Sequence, residues 1–144
     1  MGDILLDHAI REIKTADYLL TMTYKSVGDS KILATVLDKM YDAVENALKA
    51  FGIKSAAKNP TIEMLLRGVM TRHSLDRQQV AAIKEIAELR ELHKEAATEF
   101  RYKEKLVLGD DKFRLVKLDE QKIKRLLAHA KAFISFAHET LNNQ

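Results

Sequence analysis

The sequence predicts an all-α protein: an antiparallel, up-and-down helical bundle with a small β-hairpin before its last helix. Three observations predict it. Apolar residues recur at alternating steps of three and four through most of the chain, the period of a helix with one buried stripe. Helix breakers, namely Gly28, Gly52, Asn59-Pro60 and His73-Ser74, fall between those stretches. Near Gly109-Asp110-Asp111 the pattern changes to two β-rich runs flanking a turn.

The first helix is expected from about Ile4 to Tyr24, with Leu6, Ala9, Ile13, Ala16, Leu20, Thr23 and Val27 on one stripe. Asp3 can cap its start and Gly28 can end it. The second begins near Asp29 or Ser30 and carries Leu33, Leu37, Met40, Val44, Ala47 and Phe51; Gly52 stops it and Ile53 folds back. A short third helix starts at Asn59-Pro60 and buries Ile62, Leu65, Leu66 and Val69. The fourth runs from about Leu75 to Phe100, with Leu75, Ala82, Ile86, Leu89, His93, Ala96 and Phe100 on one face. Lys105–Leu108 and Lys112–Val116 form the hairpin, an insertion spanning about 102–118. The last helix follows Asp119, with Leu118 and Ile123 as a hydrophobic staple and Ile123, Leu127, Ala130, Ile134, Ala137 and Leu141 as its stripe.

Four main helices, a short one and the hairpin make a single domain over 1–144. The last helix has an additional apolar row, Leu126, Phe133 and Phe136, which either a homodimer contact or the short third helix could cover.

Composition narrows the function classes. The chain has no cysteine, so disulfides, thiolate catalysis and sulfur-ligated zinc are excluded, and a cytoplasmic location is expected. The start lacks a basic segment ahead of an apolar one, so no signal peptide is expected, and no apolar run approaches membrane-spanning length. The net charge of +3 is too small to imply a nucleic-acid partner, but it is unevenly spread: Arg101 to Lys131 holds ten Lys/Arg against five Asp/Glu.

The stretch Tyr41-Asp-Ala-Val-Glu-Asn-Ala-Leu-Lys-Ala50, closing at Phe51-Gly52, resembles the second helix of the HEPN family. Ala9, Ala16, Asp17 and Leu20 are similar to its first helix, and Ile62-Glu-Met-Leu-Leu66 to the short segment that follows. The region from Lys105 to Asp119 with Ala130-Lys-Ala-Phe-Ile134 looks like uncharacterised archaeal HEPN-like proteins. The resemblance covers roughly residues 5 to 70, the last helix more loosely; the hairpin is outside the common pattern. It implies a compact, often dimeric bundle. It also implies one of two roles: a metal-independent ribonuclease of toxin or defence systems, or a non-catalytic partner of a minimal nucleotidyltransferase.

In HEPN ribonucleases an Arg is followed, after four to six residues, by a His. The pairing suits metal-free RNA cleavage: His shuttles protons near neutral pH and Arg stabilises charge on a phosphate. Arg67 and His73 have the spacing, with five residues between, but lie early in the chain; Arg90 and His93 lie nearer the family's position with only two residues between. At i and i+3 on a helix, Arg90 and His93 share a face. Each also has a structural reading: Arg67 as a solvated charge, His73 as a helix-boundary residue, and His93 as a hydrogen-bonded residue of the core. His8, His129 and His138 have no Arg at the family spacing and are expected at the surface.

Arg101, Lys103, Lys105, Lys112, Arg114 and Lys117 would decorate the hairpin, and Lys122, Lys124 and Arg125 open the last helix. With Tyr102 and Phe113 as stacking surfaces they could hold a nucleic-acid backbone; equally, they are the charges that protect an exposed two-stranded edge. No metal site and no cofactor are expected: carboxylates are scattered, and no duplicated Glu-x-x-His pair or phosphate-cradling Gly loop occurs. The sequence thus leads to an HEPN-like interaction domain, a homodimer with a nucleotidyltransferase or an RNA-related system as partner. The alternatives are a metal-independent endoribonuclease and a non-cleaving nucleic-acid-binding module.

Overall fold

The fold is that of a computed structural model, which describes residues 2–54, 57–96, 98–102, 105–109 and 115–143, with Thr98 and Phe100–Tyr102 described as backbone only. It is mostly helical: α1 (Gly2–Tyr18), a π-helical turn (Leu19–Thr23), α2 (Tyr24–Val27), α3 (Lys31–Ala50), α4 (Ile62–Arg72), α5 (Arg77–Glu95) and α6 (Glu120–Asn142). Between α5 and α6 lies a small antiparallel sheet of β1 (Thr98–Tyr102), β2 (Lys105–Gly109) and β3 (Leu115–Leu118), in that order.

The predicted stripes form the core. Leu6, Ala9, Ile13, Ala16 and Leu20 meet Leu33, Leu37, Met40, Val44 and Ala47, together with Ile83, Ile86, Ile123, Ala130, Ile134 and Ala137, all buried. α1 and α3 run antiparallel, with Gly2 beside Ala50 at one end and Glu12 paired to Lys39 further along. Leu106, Leu108 and Leu118 are sealed against the helices and fix the sheet to the bundle.

Three boundaries differ from the sequence expectation, each for a local reason. The first helix does not hold one register: the π turn inserts a residue after Leu20, so Tyr24 rather than Thr23 turns inward and Val27 is left 66% exposed. Gly28 ends it in the left-handed region, as expected, but Asp3 sits inside the first turn instead of capping it. The short helix is capped by Thr61, whose hydroxyl accepts from the Met64 N–H, so Asn59-Pro60 only leads into it. The helix expected to continue to Phe100 ends at Glu95, and the residues beyond become β1, pairing Glu99 with Leu108 and Arg101 with Leu106. The hairpin expected before the last helix is present as β2 and β3, and β1 adds a third strand at its edge, so strand structure begins at 98 and not at 102.

The hairpin itself, β2 with β3, pairs Leu106 with Leu118 and Leu108 with Val116; the tip and Phe113 lie outside the described residues. Asp119 caps α6 by accepting from the Lys122 N–H, and Leu118 and Ile123 are both fully buried, as a staple requires. Gly52 has φ +70°, and Ile53 returns onto α4, where a Cβ on Gly68 would fall 2.4 Å from its Cγ2. The additional apolar row of the last helix is covered within the chain: Leu126 and Phe133 are fully buried, and Phe136 stacks on Phe51 and Phe133 beside His73.

Candidate functional site

A polar cluster forms where α3, α5 and β1 meet. The Leu37, Met40 and Val44 stripe of α3 faces the core, and the same periodicity places Asp38, Tyr41, Asp42 and Glu45 on the opposite side. The inner face of α5 runs through Ile83, Ile86 and Leu89; one turn later the helix has passed the end of the core, and Arg90 and His93 come out against Asp38 and Tyr41.

Arg90 is held twice. Its Nε lies 3.9 Å from Asp38 Oδ1, and its guanidinium sits 4.4 Å from the centre of the Tyr41 ring. His93 meets the same carboxylate, Nδ1 to Asp38 Oδ1 at 3.8 Å, and its other nitrogen faces Glu99 Oε1 at 3.5 Å. With its side chain 24% exposed, His93 is not the sealed core residue that its place on the stripe implied. The Tyr41 hydroxyl reaches Glu45 at 3.4 Å.

The surroundings are rich in carboxylates. Burial pushes Asp42 above the usual carboxylate range, the nearby Glu12 pushes it further, and Arg90 and Lys39 only partly offset this. Tyr41 is likewise raised, first by burial and then by Glu45. Among the described residues, no three His, Asp or Glu side chains gather in a way that could hold a metal ion. No protein-family model, curated protein or solved structure matches the chain.

The other Arg/His pair is not assembled. His73 caps the end of α4 in extended conformation, its ring 5.3 Å from Phe51 and 6.1 Å from Phe136. Arg67 points to solvent, and no ion pair or hydrogen bond links it to His73.

The basic residues divide into two groups. Of those described, Lys122 donates to the Lys117 carbonyl, Lys124 pairs with Glu120, and Arg125 binds the Glu85 carboxylate at 2.8 and 3.1 Å. Lys105 is half-buried and Lys117 exposed, whereas the side chains of Arg101, Lys103, Lys112 and Arg114 lie outside the described residues. A separate groove of about 490 Å³ runs between α1 and α6, floored by Ile10, Ile13 and Ile134 and crossed by the 2.7 Å Asp17–Lys131 pair; none of the candidate Arg or His residues lines it.

Nothing in the sequence reading marks Asp38, Tyr41 or Glu99 as site residues. For Asp38 and Tyr41 a signal was present: they flank the apolar stripe of the second helix at positions that a neighbouring helix must meet. For Glu99 there was none, because the position reads as helix and functions as strand.

Proposed function

We propose that this chain is an HEPN-like interaction domain that does not cleave RNA, acting in the cytoplasm as a homodimer. Its partner on this reading is a minimal nucleotidyltransferase or another component of an RNA-related, toxin–antitoxin type system. The helix order and the HEPN-like stretch from Tyr41 to Gly52 support the family assignment.

The observation that carries the non-catalytic part is the state of Arg90. A nuclease arginine must be available to a phosphate, whereas this one lies over the Tyr41 ring with the Asp38 carboxylate 3.9 Å away. With Asp42, Glu45 and Glu99 close by, a phosphodiester entering the cluster meets net repulsion.

The test is purified protein incubated with structured and single-stranded RNA in EDTA. No cleavage is expected, alongside a dimeric mass by light scattering and co-purification with a nucleotidyltransferase when the two are co-expressed. Cleavage that disappears in His93→Ala would replace this reading with a metal-independent endoribonuclease, whose support is that His93 and Arg90 are both solvent-reachable and share Asp38. Salt-sensitive RNA binding without cleavage would favour the basic sheet as a nucleic-acid surface instead.

A further inference from the structure

α1 packs against α3 and α6 through Leu6, Ala9, Ile13 and Ala16, and its opposite face is uncovered. Ile4, Arg11 and Tyr18 each stand two positions from a buried residue of that row, about 200° around the helix, and so face away from the core. Ile4 is 72% exposed, Tyr18 61% and Met22, in the π turn, 56%. With Val27 they make up most of the large apolar side chains that stand exposed among the described residues.

The row they belong to is self-complementary. It runs through Ile4, His8, Arg11, Thr15, Tyr18 and Met22, in steps of four, three, four, three and four, which read the same from either end. Laid antiparallel on a second copy about a two-fold axis, Ile4 meets Met22, His8 meets Tyr18 and Arg11 meets Thr15. Apolar ends meet apolar ends, and no like charges on the row are opposed. The charges beside the row favour the same direction. Asp3 and Asp7 lie in its first turns and Lys25 at its far end, all exposed, so an antiparallel copy brings carboxylates towards an ammonium, where a parallel copy would oppose like charges. Lys14 falls beside the axis, and its long stem lets the ammonium stay in water. Thr15 and Thr21 bring no unsatisfied hydroxyl donor to the contact, since each donates to the carbonyl four residues back. We propose, building on the homodimer reading above, that two copies of this chain pair antiparallel through the outer face of α1.

One helix against its copy is a small contact, so the dimer should be weak and its mass should change with concentration in the micromolar range. Sedimentation velocity from low micromolar to sub-millimolar protein measures it. Tyr18→Glu places a charge at an exposed position and should raise the dissociation constant about tenfold or more. Met64→Glu, at an exposed apolar position on α4, should leave it unchanged. Cross-linking reads the direction, because the chain has no cysteine of its own. Ile4→Cys and Met22→Cys together in one chain should give a disulfide-linked dimer under mild oxidation. Ile4→Cys alone should not, since antiparallel copies hold the two substituted positions roughly 27 Å apart. A wild-type dimer that is unchanged in Tyr18→Glu, or that cross-links through Ile4→Cys alone, would overturn this surface and leave the homodimer reading standing. A wild-type chain that is monomeric throughout the series would overturn both.

Discussion

His73, at the end of α4, rests its ring against Phe51 and Phe136, whereas His93, in the last turn of α5, has a carboxylate at each ring nitrogen. Both follow an arginine, and the one with the family-like spacing is the one the fold leaves unassembled. Six positions along a helix separate two side chains by about 120° around its axis, and three positions by only about 60°. His73 has in addition left the helix, while His93 is still on it. Helical phase, not linear spacing, decides which arginine and histidine share a partner.

The largest break in this comparison comes from the His73 side. Phe133 is fully buried and packs against Phe51 and Phe136, the two rings that carry His73. Phe133→Ala should cost about 3–5 kcal/mol by urea denaturation. At the temperature where the variant is still folded, the ring shifts of His73 should move and those of His93 should not. A His93 response as large as that of His73 would mean that the two sites are one.

On the other side, Asp38→Ala removes the carboxylate that Arg90 and His93 share. The stability cost should be small, about 0.2–1 kcal/mol per partly exposed pair. The local effect should be clear: the Arg90 side-chain and His93 ring signals change, and His73 stays where it was. Unaltered Arg90 and His93 signals would separate the pair and leave the polar cluster without a centre.

The two regions were not equally legible in sequence. The stripe of α3 and the cap and staple at Asp119, Leu118 and Ile123 follow from periodicity and backbone chemistry alone, and they stand in the fold. The π turn was not readable: Val27 fits a strict three-four row, and only the inserted residue near Leu20 moves it out and brings Tyr24 in. The end of α5 is hidden in the sequence because Ala96 and Phe100 continue the helical period, so the antiparallel pairing of Glu99 with Leu108, nine residues on, is masked by that pattern. The candidate site inherits this division. Arg90 and His93 were visible as a shared helix face, whereas Asp38, Tyr41 and Glu99 depended on which elements came to meet them.

A smaller effect is expected at Asp42. Its folded-state pKa is raised above 3.8, chiefly by burial, so the folded protein holds this proton more tightly than the unfolded chain. The ionised group therefore weakens the fold once the pH exceeds the raised value, and the penalty is relieved as pH falls towards 3.8. Asp42→Asn should have a slightly higher urea midpoint than the parent at pH 7, with the gap closing at acid pH. The group is partly exposed, so the gain stays modest. A gap that is constant with pH would assign the gain to something other than charge.

The smallest effect belongs to Arg67, and it bears most directly on the comparison. Its side chain is exposed, and among the described residues no hydrogen bond or ion pair joins it to a partner. Arg67→Ala should leave stability within about 0.5 kcal/mol and the His73 shifts in place. Arg90→Ala offers the contrast, because it frees Asp38 and uncovers the Tyr41 ring. The ring signals of Tyr41 should then respond, while Arg67→Ala produces no equivalent change near His73. If Arg67→Ala instead disturbed His73 as strongly as Arg90→Ala disturbs His93, the arginine would reach the histidine in solution, and the pair with five intervening residues would become the leading candidate for chemistry on RNA.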